Sequence, residues 1–164
     1  MDDCRELLKH MLGSIAYRVQ KALRGAPFEF GEFRATPDTR NPRELVRHIN
    51  SVLGYARTFF IGGTYRPEPL ESLEEEVRRL HRTLHDLRKS LSDGPFEPIS
   101  AKQLLQGPLS DAMTHAGQLA MLRRMAGSPV PPENFVFADV SADNVTADQP
   151  DPIAPDEVWE APGT

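Results

Sequence analysis

The stretch that decides the fold runs from residue 72 to residue 94 and reads SLEEEVRRLHRTLHDLRKSLSDG. It opens with Ser72 and Glu75, the two residues of a capping box, which marks the start of a helix. Leucine or valine then recurs at alternating steps of four and three, at positions 73, 77, 80, 84, 87 and 91. This period predicts a helix with one apolar stripe, and Asp93 with Gly94 marks its end. Such a stripe has to be buried against other helices.

Three more stretches before residue 130 have the same helical period, at about residues 3–23, 41–61 and 100–125. The second has the clearest start signal, because Asn41 is a helix cap, Pro42 takes the first helical position and Glu44 can bond back to the Asn41 amide. Its apolar stripe consists of Leu45, Ile49, Val52, Ala56 and Phe59. In the last stretch we expect Pro108 to begin the main helix, since proline is best tolerated in a first turn.

Four amphipathic helices, each apolar along one stripe, bury those stripes against one another. The sequence therefore predicts an all-α fold, a four-helix bundle in residues 1–130. The connection between the first two helices, from Gly25 to Arg40, is long, so it can run along the bundle and let these helices lie parallel. We expect its three phenylalanines, Phe28, Phe30 and Phe33, to be exposed.

Residues 131–164 form an acidic, proline-rich C-terminal extension. They contain eight acidic side chains, no lysine or arginine, and six of the 15 prolines, which disfavours a long helix. The chain carries a formal charge of −5, yet its first 130 residues, with 19 basic and 16 acidic side chains, carry +3. We expect an irregular extension that packs on the bundle and is partly flexible from about Asp148 onward, although Trp159 favours docking of its far end.

The composition argues against several classes of protein. No apolar run approaches the ~20 residues of a membrane span, and the N-terminal MDDCRELLKH is charged where a signal peptide is apolar. A single cysteine, Cys4, cannot form an internal disulfide, which favours a cytoplasmic protein. The small positive charge of residues 1–130, without a basic stripe interleaved with aromatics, argues against nucleic-acid binding. The chain has no GxSxG elbow, phosphate-binding glycine loop or HExxH motif.

Three polar residues lie on or beside the apolar stripes, which is where helical bundles build metal and ligand sites. Asp111 and His115 are four residues apart on the fourth helix and share a face, and His48 lies at the edge of the second helix's stripe. Two imidazoles and a carboxylate suit zinc, and equally iron(II), manganese or nickel. The alternative is structural: a histidine held by hydrogen bonds and an aspartate that interacts with the helix dipole.

The same spacing recurs in His81 and His85 on the third helix. Only His81 flanks the apolar stripe, and arginines at positions 78, 79, 82 and 88 surround the pair. We interpret the two histidines as part of a solvated face. For Arg123 and Arg124, the favourable interaction of cations with the C-terminal dipole of the fourth helix is a sufficient explanation.

The order of these helices and two of their segments resemble the DinB-like superfamily of four-helix bundles. The segments are ELVRHINSVLGYA in the second helix, residues 44–56, and LLQGPLSDAMTHAGQLAMLRRMAGSPVPPENF from the fourth helix onward, residues 104–135. The resemblance covers about residues 1–140 and is most specific from Asp111 through Gly127 to Pro131. That superfamily includes metal-dependent hydrolases and thiol transferases.

The resemblance implies a divalent ion, often nickel or zinc, held by one histidine of the second helix and a His-x-x-x-His pair of the fourth. His48 and His115 match the first and last of these positions, while Asp111 stands where many members have histidine. The resemblance also implies that the metal lowers the pKa of a low-molecular-weight thiol, whose thiolate then reacts with an electrophile. Relatives commonly form homodimers, and the phenylalanines of the first connection are candidates to cover a neighbouring copy.

Two functions remain open. The first is a divalent-metal-dependent thiol transferase or hydrolase, with His48, Asp111 and His115 as the ligands. The second is a non-catalytic bundle, a ligand-binding or stress-response accessory protein with a degenerate metal site. The aspartate at position 111 favours this second function.

Overall fold

The computed structural model describes residues 2–156. Five α-helices follow in chain order: α1 (Asp2–Leu23), α2 (Pro42–Ile61), α3 (Leu73–Asp93), the short α4 (Ala101–Leu104) and α5 (Ser110–Met125). A 3₁₀ turn, Phe28–Glu32, lies between α1 and α2, and a π-helical turn, Leu105–Leu109, joins α4 to α5. No β-strand forms within residues 2–156, where one antiparallel bridge pairs Glu133 with Pro155. The all-α prediction is therefore confirmed.

The predicted starts of α2 and α3 are confirmed by their side-chain caps. The Asn41 side chain accepts a hydrogen bond from the Glu44 amide at 2.8 Å, and the Glu44 carboxylate accepts one from the Asn41 amide at 3.0 Å. Ser72 and Glu75 form the same box at the start of α3. Each box pairs amides that the first turn of a helix leaves free, so signals within four residues fix where these helices begin.

One core joins α1, α2, α3 and α5. The predicted stripe of α3 is buried at positions 80, 84, 87 and 91, each at most 1% exposed. On α2 the prediction is partly wrong, because Val46 and Leu53 are fully buried whereas Val52 and Phe59 are only half-buried. The buried positions 45, 49 and 56 are shared by two adjacent faces of α2, one with Val52 and Phe59 and one with Val46 and Leu53. The hydrophobic pattern alone did not show which of these faces is buried. His48 lies on the half-buried side.

Helices α2 and α3 run in the same direction. Near their first residues, an Arg43 guanidinium nitrogen donates to the carbonyl oxygen of Leu70 at 3.1 Å. Further along both helices, Arg57 Nη1 lies 3.4 Å from Asp86 Oδ2. Residues 62–72 therefore return along the full length of α2, a distance of about 30 Å that eleven extended residues can span.

Helix α1 runs opposite to both of them. Arg5, near its start, donates to the carbonyl oxygen of Leu91 near the end of α3. At the opposite ends of the two helices, Gln20 and Leu73 line one cavity. The parallel arrangement of α1 and α2 that the long connection allowed is therefore not the one found, and the connection that keeps two successive helices parallel is the one between α2 and α3.

The connection between α1 and α2 is tied to the core. Phe30 is 1% exposed and Phe33 is half-buried, so the expected exposure holds only for Phe28, which is fully exposed. The Arg123 guanidinium lies 5.5 Å from the Phe30 ring and donates to the carbonyl oxygen of Ala22 at 3.0 Å. Arg123, on α5, is 4% exposed and caps the C-terminal end of α1. The sequence interpretation, an interaction with the dipole of α5, was therefore not a sufficient explanation of this residue.

Pro108 does not begin the main helix, contrary to expectation. It lies inside the π-helical turn, and the chain stays helical from Ala101 to Met125. Proline has no N–H to donate, and the Ser110 hydroxyl donates to the Leu105 carbonyl oxygen five residues earlier at 2.6 Å. The wider turn therefore accommodates the proline without ending the helix.

The described part of the C-terminal extension lies against α1 and α3. Glu133 is buried, accepts a hydrogen bond from Tyr17 at 2.6 Å and pairs with Lys21 at 2.9 Å. Val145, 3% exposed, joins the core. Asp148, where we expected flexibility to begin, is part of this irregular but hydrogen-bonded region, since its carbonyl oxygen accepts from an Asn144 side chain. Trp159 lies outside the described residues.

Candidate metal site

His48 is brought to the site by the fixed start of α2. The capping box sets the register of this helix, and His48 lies two turns in, on its half-buried side. Across the interface with α5, the rings of His48 and His115 meet edge to face, with centroids 4.5 Å apart. Ala112 and Ala116 are buried on either side of His115, and such small side chains let neighbouring helices approach closely.

Asp111 and His115 lie on one face of α5, as their spacing predicts. Asp111 is in the first turn after the π-helical segment, and its Oδ1 lies 3.2 Å from His115 Nε2. His115 is 8% exposed, whereas the Asp111 side chain is 48% exposed. The carboxylate therefore forms the open side of the site and the imidazole its buried side.

The three side chains predicted from the sequence come together. One ligand atom from each of His48, Asp111 and His115 lies within 4.8 Å of the other two. Ligands about 2.0–2.2 Å from a tetrahedral ion are roughly 3.4 Å apart, and the Asp111–His115 pair is already at this separation. The donor set of two imidazoles and one carboxylate is a common one for divalent transition metals. The residues present therefore fit a metal ion.

Gln118 orients the His115 ring. Its side-chain oxygen lies 2.8 Å from His115 Nδ1. Because an amide oxygen only accepts hydrogen bonds, this contact assigns the proton to Nδ1. Nε2 then faces Asp111 and His48 with its lone pair, which is the form that binds metal, and such outer partners are typical of histidine ligands.

Asp111 and His115 can present two acceptors to each other. With the proton on Nδ1, the lone pair of His115 Nε2 and the carboxylate oxygen of Asp111 are two acceptors that face each other at 3.2 Å. A cation between two such acceptors is attracted by both of them. In this tautomer the cluster is therefore suited to hold a metal ion at this point.

The surroundings of His48 keep its imidazole neutral. Burial lowers the pKa of His48 below its usual value, Arg40 and His115 act in the same direction, and Asp111 opposes them. A neutral imidazole is the form that coordinates a metal. The electrostatics of this residue are therefore compatible with a ligand role.

The second histidine pair is not the solvated face that its arginine neighbours suggested. His85 is exposed, as expected, with its side chain 70% exposed. His81 is half-buried instead, and its Nδ1 lies 2.8 Å from the carbonyl oxygen of Val145 in the C-terminal extension. The predicted exposure of His81 was wrong because the C-terminal extension, which is distant in sequence, covers this part of α3.

Two residues of the site, Gln118 and Arg40, were not predicted from the sequence. Gln118 follows His115 by three residues, a spacing that allows contact on a helix and that could have identified it. Arg40 acts on His48 from the connection before α2, and nothing local in the sequence indicates this. Cys4, which the sequence left without a role, is a free and exposed cysteine.

No helix within residues 2–156 combines the length and the hydropathy needed to cross a bilayer. Comparison of the chain with protein-family models, with curated proteins and with solved structures found no match.

Proposed function

We propose that this chain is a DinB-like four-helix bundle that binds a divalent metal ion through His48, Asp111 and His115. The observation that carries the proposal is the convergence of three ligand atoms within 4.8 Å, from two helices that the sequence places far apart. The resemblance of residues 44–56 and 104–135 to that superfamily supports it independently. The four segments α1, α2, α3 and α5, which share one core, would form the bundle.

Nickel or zinc is the ion we expect, with iron(II) and manganese as alternatives. Imidazole nitrogen is a ligand of intermediate softness that suits zinc, nickel and iron, and carboxylate oxygen is a hard ligand that also suits manganese. Three protein ligands leave coordination positions open, as in catalytic rather than structural zinc sites. The exposed carboxylate of Asp111 lies on the side from which a further ligand would enter.

The activity we propose is that of a metal-dependent thiol transferase or hydrolase. When bound, the ion would supply a Lewis acid that lowers the pKa of a thiol or water ligand. His115, held by Gln118, and the neutral His48 would bind the ion and keep its position fixed. Asp111 would offset its charge and leave an open approach for a low-molecular-weight thiol.

A non-catalytic ligand-binding or accessory protein is the second candidate function. It is favoured by Asp111, which stands where many DinB-like proteins have histidine, and by its high exposure. Without an ion, His115 would still contact Asp111 and Gln118, and the cluster would be an ordinary polar contact between helices. The homodimer implied by the resemblance and the cytoplasmic location favoured by the single cysteine remain expectations under both functions, as does the absence of nucleic-acid partners.

Metal analysis of protein purified without a polyhistidine tag tests the proposal. We expect close to one equivalent of nickel or zinc in the wild type and a loss of most of it in His115→Ala. The matched control is His85→Ala, which removes an exposed histidine on α3 and should leave the metal content unchanged. Equally low metal in the wild type and in His115→Ala, also after incubation with each of the four ions, would contradict it.

The Asp111→Asn variant separates the two functions. If Asp111 is a ligand, loss of its charge weakens metal binding and any thiol-dependent activity together, with little change in the fold of an exposed position. If the cluster is only structural, Asp111→Asn leaves metal content at background and the thermal midpoint nearly unchanged. Turnover of thiol and electrophile that disappears with chelator and returns with the ion would decide for the enzyme.

A further inference from the structure

A second cavity, of about 310 Å³, lies between α1, α5 and residues 130–135, and none of the three proposed metal ligands lines it. Most of its wall is apolar or small, and is formed by Ala22, Ala116, Ala120, Met121, Val130 and Pro131. Its volume is at the lower end of the range of about 300–1,000 Å³ that is typical of small-molecule sites. The cavity is therefore suited to a small ligand with an apolar body.

Three cationic side chains, Arg18, Lys21 and Arg124, also line this cavity. The charge of Lys21 is already balanced, because its Nζ lies 2.9 Å from Glu133 Oε2. The other Glu133 oxygen accepts from the Tyr17 hydroxyl at 2.6 Å, so this carboxylate is fully engaged. With three cations and one carboxylate in its lining, the cavity has an excess of two positive charges.

Of the two arginines that line the cavity, Arg18 says more about the ligand. Its side chain is half-buried, and its Cζ lies 3.6 Å from the centroid of the Phe135 ring. Within the described residues it makes no hydrogen bond and no ion pair, although a guanidinium offers five donors. Burial lowers the pKa of Arg18, and the negative charge of Glu133 opposes this shift without forming an ion pair with Arg18. These donors are half-buried at the edge of the cavity and are not committed to another protein group, so they are available to an acceptor that enters it.

We propose that this cavity binds a small organic carboxylate, whose anionic group pairs with Arg18 and Arg124 and whose apolar body packs against α5. A planar carboxylate matches the fork of donors on a guanidinium, and stacking on Phe135 holds that fork in place. Arg124 is exposed and also lacks a partner among the described residues, so it can close over the ligand from the solvent side. Ala116, Ala120 and Met121 of α5 would contact the hydrocarbon portion.

Calorimetric titration of the full chain with benzoate and with hexanoate, one aromatic and one aliphatic acid, tests this proposal. Benzamide is the neutral counterpart of benzoate, and inorganic phosphate is an anion without an apolar body. We expect saturable binding of at least one of the two acids. Benzamide should bind about tenfold or more weakly than benzoate, because the charge-assisted hydrogen bonds are lost. Phosphate should also bind more weakly than the acids, because it has no apolar body.

Two arginine variants and one control locate the site. Arg18→Gln should weaken carboxylate binding by about tenfold or more, and Arg124→Gln, at an exposed position that the fold does not need, should weaken it several-fold. Arg66→Gln removes an exposed arginine far from the cavity lining and should have no effect. The proposal is overturned if neither acid binds, if benzamide or phosphate binds as well as the acids, or if Arg124→Gln and Arg66→Gln behave alike.

Discussion

Asp111–His115 on α5 and His81–His85 on α3 have the same spacing of four residues, but the two pairs have different surroundings. The α5 pair faces α2, where His48 supplies a third ligand atom within 4.8 Å. On α3, His85 is exposed beside Asp86 at 3.6 Å, and His81 bonds to the backbone of the C-terminal extension. The spacing therefore places two side chains on one face, and the neighbouring element decides what they can do.

The comparison also separates two uses of a buried imidazole. His115 has its Nδ1 fixed by Gln118, so that Nε2 is free to meet other ligands. His81 has its Nδ1 fixed by Val145, but its Nε2 is buried without a hydrogen-bond partner among the described residues. Only in His115 does the nitrogen opposite the fixed one lie close to other side chains that can bind a metal, those of His48 and Asp111. Four predictions test this difference, from the largest expected effect to the smallest.

Removal of metal should destabilise the protein through the α5 site alone. An ion present at about 100 times its Kd raises the free energy of unfolding by about 2.7 kcal/mol, which for a domain of this size is about 5–10 °C in Tm. We therefore expect a chelator to lower the Tm by this amount and added zinc or nickel to restore it. Differential scanning fluorimetry, before and after dialysis against chelator, measures the shift.

Two histidine variants show which pair is responsible for this shift. His48→Ala removes the ligand that α2 contributes and should abolish the chelator-dependent change, while His85→Ala should retain it in full. If the wild-type Tm is the same with and without chelator, or if His85→Ala loses the shift as His48→Ala does, the distinction between the two pairs fails.

Gln118→Ala should weaken metal binding without abolishing it. The amide fixes the protonation and orientation of His115, and loss of such an outer partner typically reduces metal affinity by about 10–100-fold. Competition with a chromogenic chelator measures the affinity. The matched control is Gln106→Ala, which removes an exposed glutamine from the π-helical turn. Equal affinities of the two variants would mean that Gln118 does not orient the ring.

The parts of the fold that depend on residues close in sequence could be predicted. The caps at Asn41 and Ser72 act within four residues, and the leucines of α3 repeat with the helical period, so both follow from the sequence alone. The shared face of Asp111 and His115 follows from the same geometry. His48 was a candidate because it lies beside the apolar stripe of α2, and the resemblance then supported its pairing with Asp111 and His115, since a spacing of 63 residues carries no local signal.

The parts that depend on distant residues could not be predicted. Phe30 is buried because Arg123 and the core meet it from elsewhere in the chain, although its own neighbours suggested exposure. The parallel course of α2 and α3 depends on residues 62–72, where Tyr65 packs against Gly54 and bonds to the side chain of Asn50 at 3.2 Å. None of these contacts is encoded by the period or the caps of a single helix.

Arg88→Gln should loosen the C-terminal extension while the metal site stays intact. Arg88 on α3 donates to the carbonyl oxygen of Ala142 at 2.7 Å and pairs with Asp143. Loss of these bonds should cost about 1–2 kcal/mol locally, which corresponds to about tenfold faster amide exchange around residues 142–147. Hydrogen–deuterium exchange measures it, with Arg82→Gln as the control, because Arg82 is exposed on the same helix and has no partner among the described residues.

If exchange around residues 142–147 is the same in Arg88→Gln as in the wild type, α3 does not hold the extension by this contact. A chelator-dependent Tm shift that disappears in Arg88→Gln would instead link the extension to the metal site and contradict the separation of the two histidine pairs.

The smallest expected effect is a pH dependence of the contact between His81 and Val145. It tests whether His81 anchors the C-terminal extension. Burial lowers the pKa of His81, and its hydrogen bond to the Val145 carbonyl only partly offsets this. The ring is therefore neutral when it is packed and takes up a proton more readily when it is released, so the anchoring of Val145 is strongest above the usual histidine pKa of about 6.5 and weakens as the pH falls below it.

Other charged or titratable side chains line the groove that holds His81. They are Arg78, Arg82, His85, Asp86, Arg88 and Asp143, and all of them are kept in the test variant. His81→Gln keeps a side-chain donor for Val145 but does not titrate, so amide exchange of residues 142–147 should accelerate between pH 7.5 and 5.5 in the wild type and, after correction for intrinsic exchange, stay constant in the variant. The same pH dependence in both proteins would show that another group releases the extension, and His81 would then be a packed residue without a switching role.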